Sequence, residues 1–227
     1  MFVANQKEMQ LCDRYTIEQL GLPGVVLMEN AGNAVVQEVI AHYSINAKVF
    51  VIAGGGNNGG DGFVIARRLI DYGFDVMLCL AVSEDCLKGD AKIHFEAYKN
   101  RNLPYFQYND ENQKTLQSYI NNSDVIIDAI LGTGVIGNVR YPFKEIIETI
   151  NRSNKEIIAV DIPSGVNANT GEVANVAVKA TKTVTFAMPK IGFFIGDGPQ
   201  FIGEWKVVDI SVPLEIVDTL ELDLPIL

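Results

Sequence analysis

Residues 54–63 read GGGNNGGDGF. Gly54, Gly56 and Gly59 satisfy the G-x-G-x-x-G spacing, with which a strand-to-helix turn can bring backbone N–H groups against a phosphate. Two asparagines and an aspartate stand where a loop that only cradles a cofactor would be small and apolar. Farther along, Asp128 closes the apolar run VIID, and Asp161 closes IIAVD beside IPSG. A carboxylate at the end of a buried strand is costly without partners. Either loop amides satisfy Asp128 and Asp161, or a cation and a ligand do. Asn58, Asp128 and Ser164 offer oxygen donors only, a set suited to a hard cation and unsuited to zinc. Asp161 can act as a general acid or base once burial and neighbours tune it. Asp61 has a plainer alternative, charging the first turn of its helix for about 0.3–1 kcal/mol.

These residues need elements to hold them. NQKEMQLCDRYTIEQL carries apolar residues at helical spacing and breaks at Leu22-Pro23-Gly24; VVLMENAGNAVVQEVIAHY carries a second stripe through Leu27, Ala31, Val35 and Val39. From Lys48 the pattern changes to continuous apolar strands, KVFVIAG, DVMLCLAV, PYFQY, DVIIDAIL, EIIAVDI, TKTVTFAM and EWKVVDI. Between the first five lie helical stretches: FVIARRLIDYG, KGDAKIHFEAYKN, ENQKTLQSYI and PFKEIIETINR. Such alternation predicts an α/β fold, a Rossmann-like, doubly wound, mostly parallel sheet with helices on both faces, preceded by N-terminal helices. Its ligands bind at the carboxyl ends of the strands, where the winding reverses. The loops after the first, fourth and fifth strands, which hold the residues above, therefore converge.

Length and composition set the outer bounds. The 227 residues, 48% of them hydrophobic, suffice for a large core, and no linker or repeat divides them, so residues 1–227 read as a single domain. A net charge of −10 argues against nucleic acid as a partner. No apolar run reaches a membrane span and no leader pattern opens the chain, so no membrane partner and a cytoplasmic location are expected. Cys12, Cys79 and Cys86 match no zinc or redox spacing, and His42 and His94 lie in helices away from the glycine-rich loops, which disfavours a histidine triad. The amphipathic N-terminal helices suit packing in a homodimer.

GGGNNGGDGFVIARRL, LMENAG, DAILGTGVIG, VDIPSGVNANTGEV and TKTVTFAMPKIGFF together resemble the NAD(P)H-hydrate epimerase family, the YjeF N-terminal-type domain that includes the apolipoprotein A-I-binding proteins. The resemblance spans almost the whole chain. It implies an isomerase that interconverts the R and S hydrates of NADH and NADPH, damaged nucleotides with a hydroxyl at C6 of the nicotinamide ring. By similarity, Asn57, Asn58, Gly59, Gly60 and Asp61 line the substrate site. Gly132, Thr133, Gly134, Val135, Ile136, Gly137 and Asn138 close over it, and Asp161 contacts the reacting end. The resemblance also implies one potassium ion per subunit, held by Asn58, Asp128 and Ser164. Asp161 is expected to protonate the departing hydroxyl, with Asp61 placing water or stabilising the cation. The family's common second domain, an ATP- or ADP-dependent dehydratase, is not expected within this chain and becomes a separate functional partner. Two other readings compete. A non-catalytic nucleotide-binding or scaffold protein would not need the acidic constellation. An NAD-dependent oxidoreductase would need a ribose-binding acid better placed than Glu84 or Asp85.

Overall fold

The computed structural model of the chain describes residues 1–226. Helix α1 (Gln6–Glu18) starts at a capping box, in which Asn5 and Glu8 satisfy each other's backbone N–H groups. Pro23 precedes α2 (Gly24–His42). The rest of the chain alternates: β1 (Lys48–Ala53), α3 (Asn57–Asp71), β2 (Asp75–Leu80), α4 (Gly89–Lys99), β3 (Tyr105–Gln107), α5 (Gln113–Asn122), β4 (Val125–Ala129), α6 (Phe143–Asn151) and β5 (Glu156–Val160). Strands β6 (Lys182–Phe186) and β7 (Glu204–Val208) and the short α7 (Ile216–Thr219) follow.

The seven strands order as β3-β2-β1-β4-β5-β6-β7, and every pairing between neighbours is parallel. The winding reverses between β1 and β4, where Val51 pairs with Leu78 on one side and Ile127 on the other. Alternate residues of the central strands go to opposite faces. Val49, Val51, Ala53, Val125 and Ile127 join the core beneath α1 to α4, while Phe50, Ile52 and Ile126 join the one beneath α5 and α6. Burial on both faces explains why these strands read as unbroken apolar runs. A third, smaller cluster around Ile162, Phe193 and Ile202 packs the segments that follow β5 and β6.

Helix α3 begins at Asn57, six residues ahead of the FVIARRL pattern. Glycine is a poor helix former, so NNGGDG reads as loop, but its glycines are required by close packing. A Cβ added to Gly59 would lie 1.9 Å from the Gly54 carbonyl oxygen, and one added to Gly60 would lie 2.4 Å from the Met28 sulfur. His94 is buried with Nε2 3.1 Å from the Val25 carbonyl, His42 pairs with Glu38, and all three cysteines are free. Among the described residues, no helix is long and apolar enough to cross a membrane.

Candidate active site

A cavity of about 610 Å³ opens at the carboxyl ends of the strands, over the β1–β4 reversal. The end of β1 is tied to β4 by the Gly54 N–H, which donates to the Ala129 carbonyl at 2.9 Å. The start of α3 contributes Asn57, Asn58 and Asp61 to the wall, and the segment after β4 contributes Gly132, Thr133 and Gly134. Backbone N–H groups left free at this helix start favour an anion.

Asp61 lies in the second turn of α3, past the positions where it would simply complement the helix dipole. It is buried, and its carboxyl has no hydrogen-bonding or ion-pairing partner among the described residues. Burial drives this carboxyl well above the ordinary aspartate range, helped by the charges of Asp161 and Asp13 and opposed by Lys190.

Asp161 is the first residue past β5 and has φ +65°, a left-handed conformation that aspartate tolerates better than β-branched residues. Its N–H donates to the Val184 carbonyl at 2.8 Å, which continues the sheet by one bond. The side chain then faces the cavity. Its Oδ1 accepts from the Thr185 hydroxyl at 3.1 Å, from the Phe186 N–H at 3.0 Å and from the Lys190 ammonium. Lys190 is 1% exposed and also donates to Thr185 Oγ1 at 2.9 Å, the Met188 carbonyl at 3.2 Å and the Phe186 carbonyl at 3.3 Å. Such a donor set suits a carboxylate, not a carboxylic acid.

The three residues expected to hold a cation are connected through the Leu131 carbonyl, with Asn58 in the cavity wall. Asp128 and Ser164 are fully buried. The Ser164 hydroxyl donates to Asp128 Oδ1 at 2.6 Å, and the Ser164 N–H donates to Asp128 Oδ2 at 2.8 Å. Asn58 donates from Nδ2 to the Leu131 carbonyl at 3.0 Å, the carbonyl that also lies 3.1 Å from Ser164 Oγ. That leaves Asn58 Oδ1 buried with no donor. A buried acceptor without a donor, linked through the Leu131 carbonyl to Ser164 and thence to Asp128, fits a hard cation. Both Asp128 oxygens thus have donors, Oδ1 also from the Ile130 N–H at 3.3 Å, yet burial pushes the carboxyl up to about 6 against them.

A family model described as YjeF-related protein N-terminus matches residues 24–192. The chain belongs to this family. Among members of the YjeF-related family, the bifunctional NAD(P)H-hydrate repair enzyme Nnr of Thermofilum pendens is 37% identical over 218 residues, covering 96% of this chain and 42% of that protein. The chain thus spans about two fifths of that relative's length. The NAD(P)H-hydrate epimerase of Pirellula staleyi is 34% identical, with 96% of each chain covered. The crystal structure of yeast ynu0 superposes with a TM-score of 0.77 at 27% identity, covering 92% of this chain and 88% of that one.

Within this YjeF-related fold, the expected site residues divide into three groups. Asn57, Asn58, Asp61, Gly132, Thr133, Gly134 and Asp161 share the cavity. Gly59 and Gly60 lie behind it, packed on Gly54 and Met28. Val135, Ile136, Gly137 and Asn138 do not line it: Val135 packs on the α5–α6 side core, and Ile136 is 84% exposed. Two residues escaped the sequence reading. Lys190 is a lone cation in the apolar stretch FAMPKIGFF, and Asp13 is one of three acids in α1, with Glu8 and Glu18. Lys190 carries a signal, a charge in an apolar context, whereas Asp13, followed by Arg14 in a helix with two other acids, carries none.

Proposed function

We propose that this chain is an NAD(P)H-hydrate epimerase, interconverting the R and S hydrates of NADH and NADPH at C6. The observation that carries the reading is the pairing, across one cavity, of an unpartnered Asp61 carboxyl with an Asp161 carboxylate held by a buried ammonium. Naming of relatives as epimerases and repair enzymes supports it.

The roles we assign reverse those expected from sequence. Burial favours the protonated form of Asp61, which suits it to be the acid. It protonates the C6 hydroxyl; the C–O bond breaks with its electron pair on oxygen, water departs, and the lone pair of N1 stabilises the resulting cation. Asp161, with Oδ1 fixed by three donors, lends its negative charge to that cation. Water adds to the other face of C6, and the proton it loses restores Asp61 by way of solvent. The diphosphate lies against the N–H groups at the start of α3. A potassium ion belongs to this reading, with Asn58, Asp128 and Ser164 as its holders; when bound it supplies a fixed positive charge near an anionic substrate. A dehydratase acting on the S hydrate is the functional partner, in keeping with the bifunctional repair relatives.

The test is to incubate the protein with the pure R hydrate of NADPH, with and without potassium, and to separate the epimers over time. Equilibration well above the spontaneous rate, reduced about 100-fold or more in Asp161→Asn, is expected. Bound nucleotide without equilibration would instead favour the binding-protein reading.

A further inference from the structure

Helix α1 precedes the matched stretch 24–192, yet it forms one wall of the cavity. Gln6, Gln10, Asp13 and Ile17 succeed one another at helical spacing along that wall, while Met9, Cys12 and Thr16 are buried on its inner side. The helix is pinned to the site itself. The Gln6 N–H donates to Asn169 Oδ1 at 2.8 Å, in the segment after Asp161. Ala4 forms a parallel bridge with Lys190, accepting from the Ile191 N–H and donating to the Pro189 carbonyl, both at 3.0 Å.

Asp13 is half-buried on this wall and has no hydrogen-bonding or ion-pairing partner among the described residues. Its neighbours one turn away, Met9, Gln10, Thr16 and Ile17, include no cation. An ordinary helix carboxylate is fully solvated or paired, whereas Asp13 is half-buried and unpaired. The charged groups on the cavity are Asp61 from α3, Asp161 after β5, Asp90 from α4 and, behind Asp161, Lys190. The only ammonium of this group is taken up by Asp161.

We propose that Asp13 is a positioning residue of the reaction, whose negative charge keeps the proton on Asp61 until the substrate oxygen receives it. The inference rests on Asp61 being the acid of the proposed epimerisation. The electrostatics of the two carboxyls agree with this: Asp13 contributes to raising Asp61, after burial and Asp161, while the Asp13 carboxyl is itself pushed up to about 6 by burial and then by Asp161, with Lys190 opposing. A negative charge on Asp13 therefore favours the protonated form of Asp61.

The experiment measures kcat and KM against pH for the wild type, Asp13→Asn and Asp13→Glu. Without the neighbouring negative charge Asp61 loses its proton at lower pH, so the alkaline limb of kcat moves acid-ward in Asp13→Asn. The variant-to-wild-type ratio then falls about tenfold for each pH unit of displacement. KM changes little, and Asp13→Glu restores most of the limb. An alkaline limb at the wild-type position, whatever the height of the plateau, overturns the proposal. The titration of Asp61 followed by ¹³C-carboxyl NMR, assigned with Asp61→Asn, decides the matter independently of turnover. An acid-ward move of Asp61 in Asp13→Asn supports the coupling even if the wild type fails to epimerise, and an unmoved Asp61 ends it.

Discussion

Lys190→Met offers a direct measure of how the site is built. Methionine keeps most of the buried stem and removes the ammonium, which donates to Asp161, Thr185, Phe186 and Met188. Asp161 Oδ1 then retains two of its three donors, and the carbonyls of Phe186 and Met188 lose this one. Removing one member of a buried ion pair costs about 3–5 kcal/mol. The Asp161 side chain is 17% exposed, toward the cavity, so water relieves part of that loss and about 2–4 kcal/mol remains. For a domain of this size that corresponds to a fall in Tm of about 5–15 °C. The assay is urea unfolding of the wild type, Lys190→Met, Asp161→Asn and the double variant. The two single losses should overlap, leaving a coupling energy of about 2–4 kcal/mol. Because the pair is buried, the coupling should persist in 1 M salt. A coupling below about 1 kcal/mol, or one abolished by salt, would refute the idea that Lys190 holds Asp161 as a carboxylate.

Two further outcomes follow from other parts of the site. Potassium chloride should raise Tm relative to sodium chloride, by several degrees if the ion is about 100-fold above its Kd, and Asn58→Ala should abolish the difference; an equal response in both salts would count against the cation site. Asp13→Asn should be more stable than the wild type above pH 6 and indistinguishable below about pH 4. The sign follows from a folded-state carboxyl raised from 3.8 to about 6, whose proton the unfolded chain releases at lower pH, so wild-type stability falls as pH rises through that window. With Asp13 partly exposed, the gain is about 1–2 kcal/mol; urea midpoints that track each other from pH 4 to pH 8 would contradict it.

The sheet was legible because burial on both faces removes the polar alternation that would blur a strand, and IIAVD and VIID therefore stand out as strands ending in charge. The convergence of Asn58, Asp128 and Ser164 followed from topology and from their oxygen chemistry. The start of α3 did not follow, because glycine propensity points away from a helix, while close approach to Gly54 and Met28 demands it. Lys190 and Asp13 were illegible for a different reason. Their importance lies in what surrounds them, and neither a partner 29 residues away for Lys190 nor a neighbouring charge on another helix for Asp13 leaves a local pattern. The exposed turn at 136–138 illustrates the reverse case, in which a glycine-rich motif continues past the point where the chain leaves the cavity.

The bridge between Ala4 and Lys190 has a bearing on how the molecule divides. Val3 donates to the Pro225 carbonyl at 2.9 Å and Phe2 bridges Ile226, so both ends of the described chain are laced together beside the segment that bears the buried ammonium. A fragment excised at residues 24 and 192 would keep Asp61, Asp161 and Lys190 but lose Asp13, unlace that seam and leave β6 as a bare sheet edge, a template for pairing with other chains. The stretch by which such a sequence is recognised is therefore shorter than the unit that keeps its charges dry.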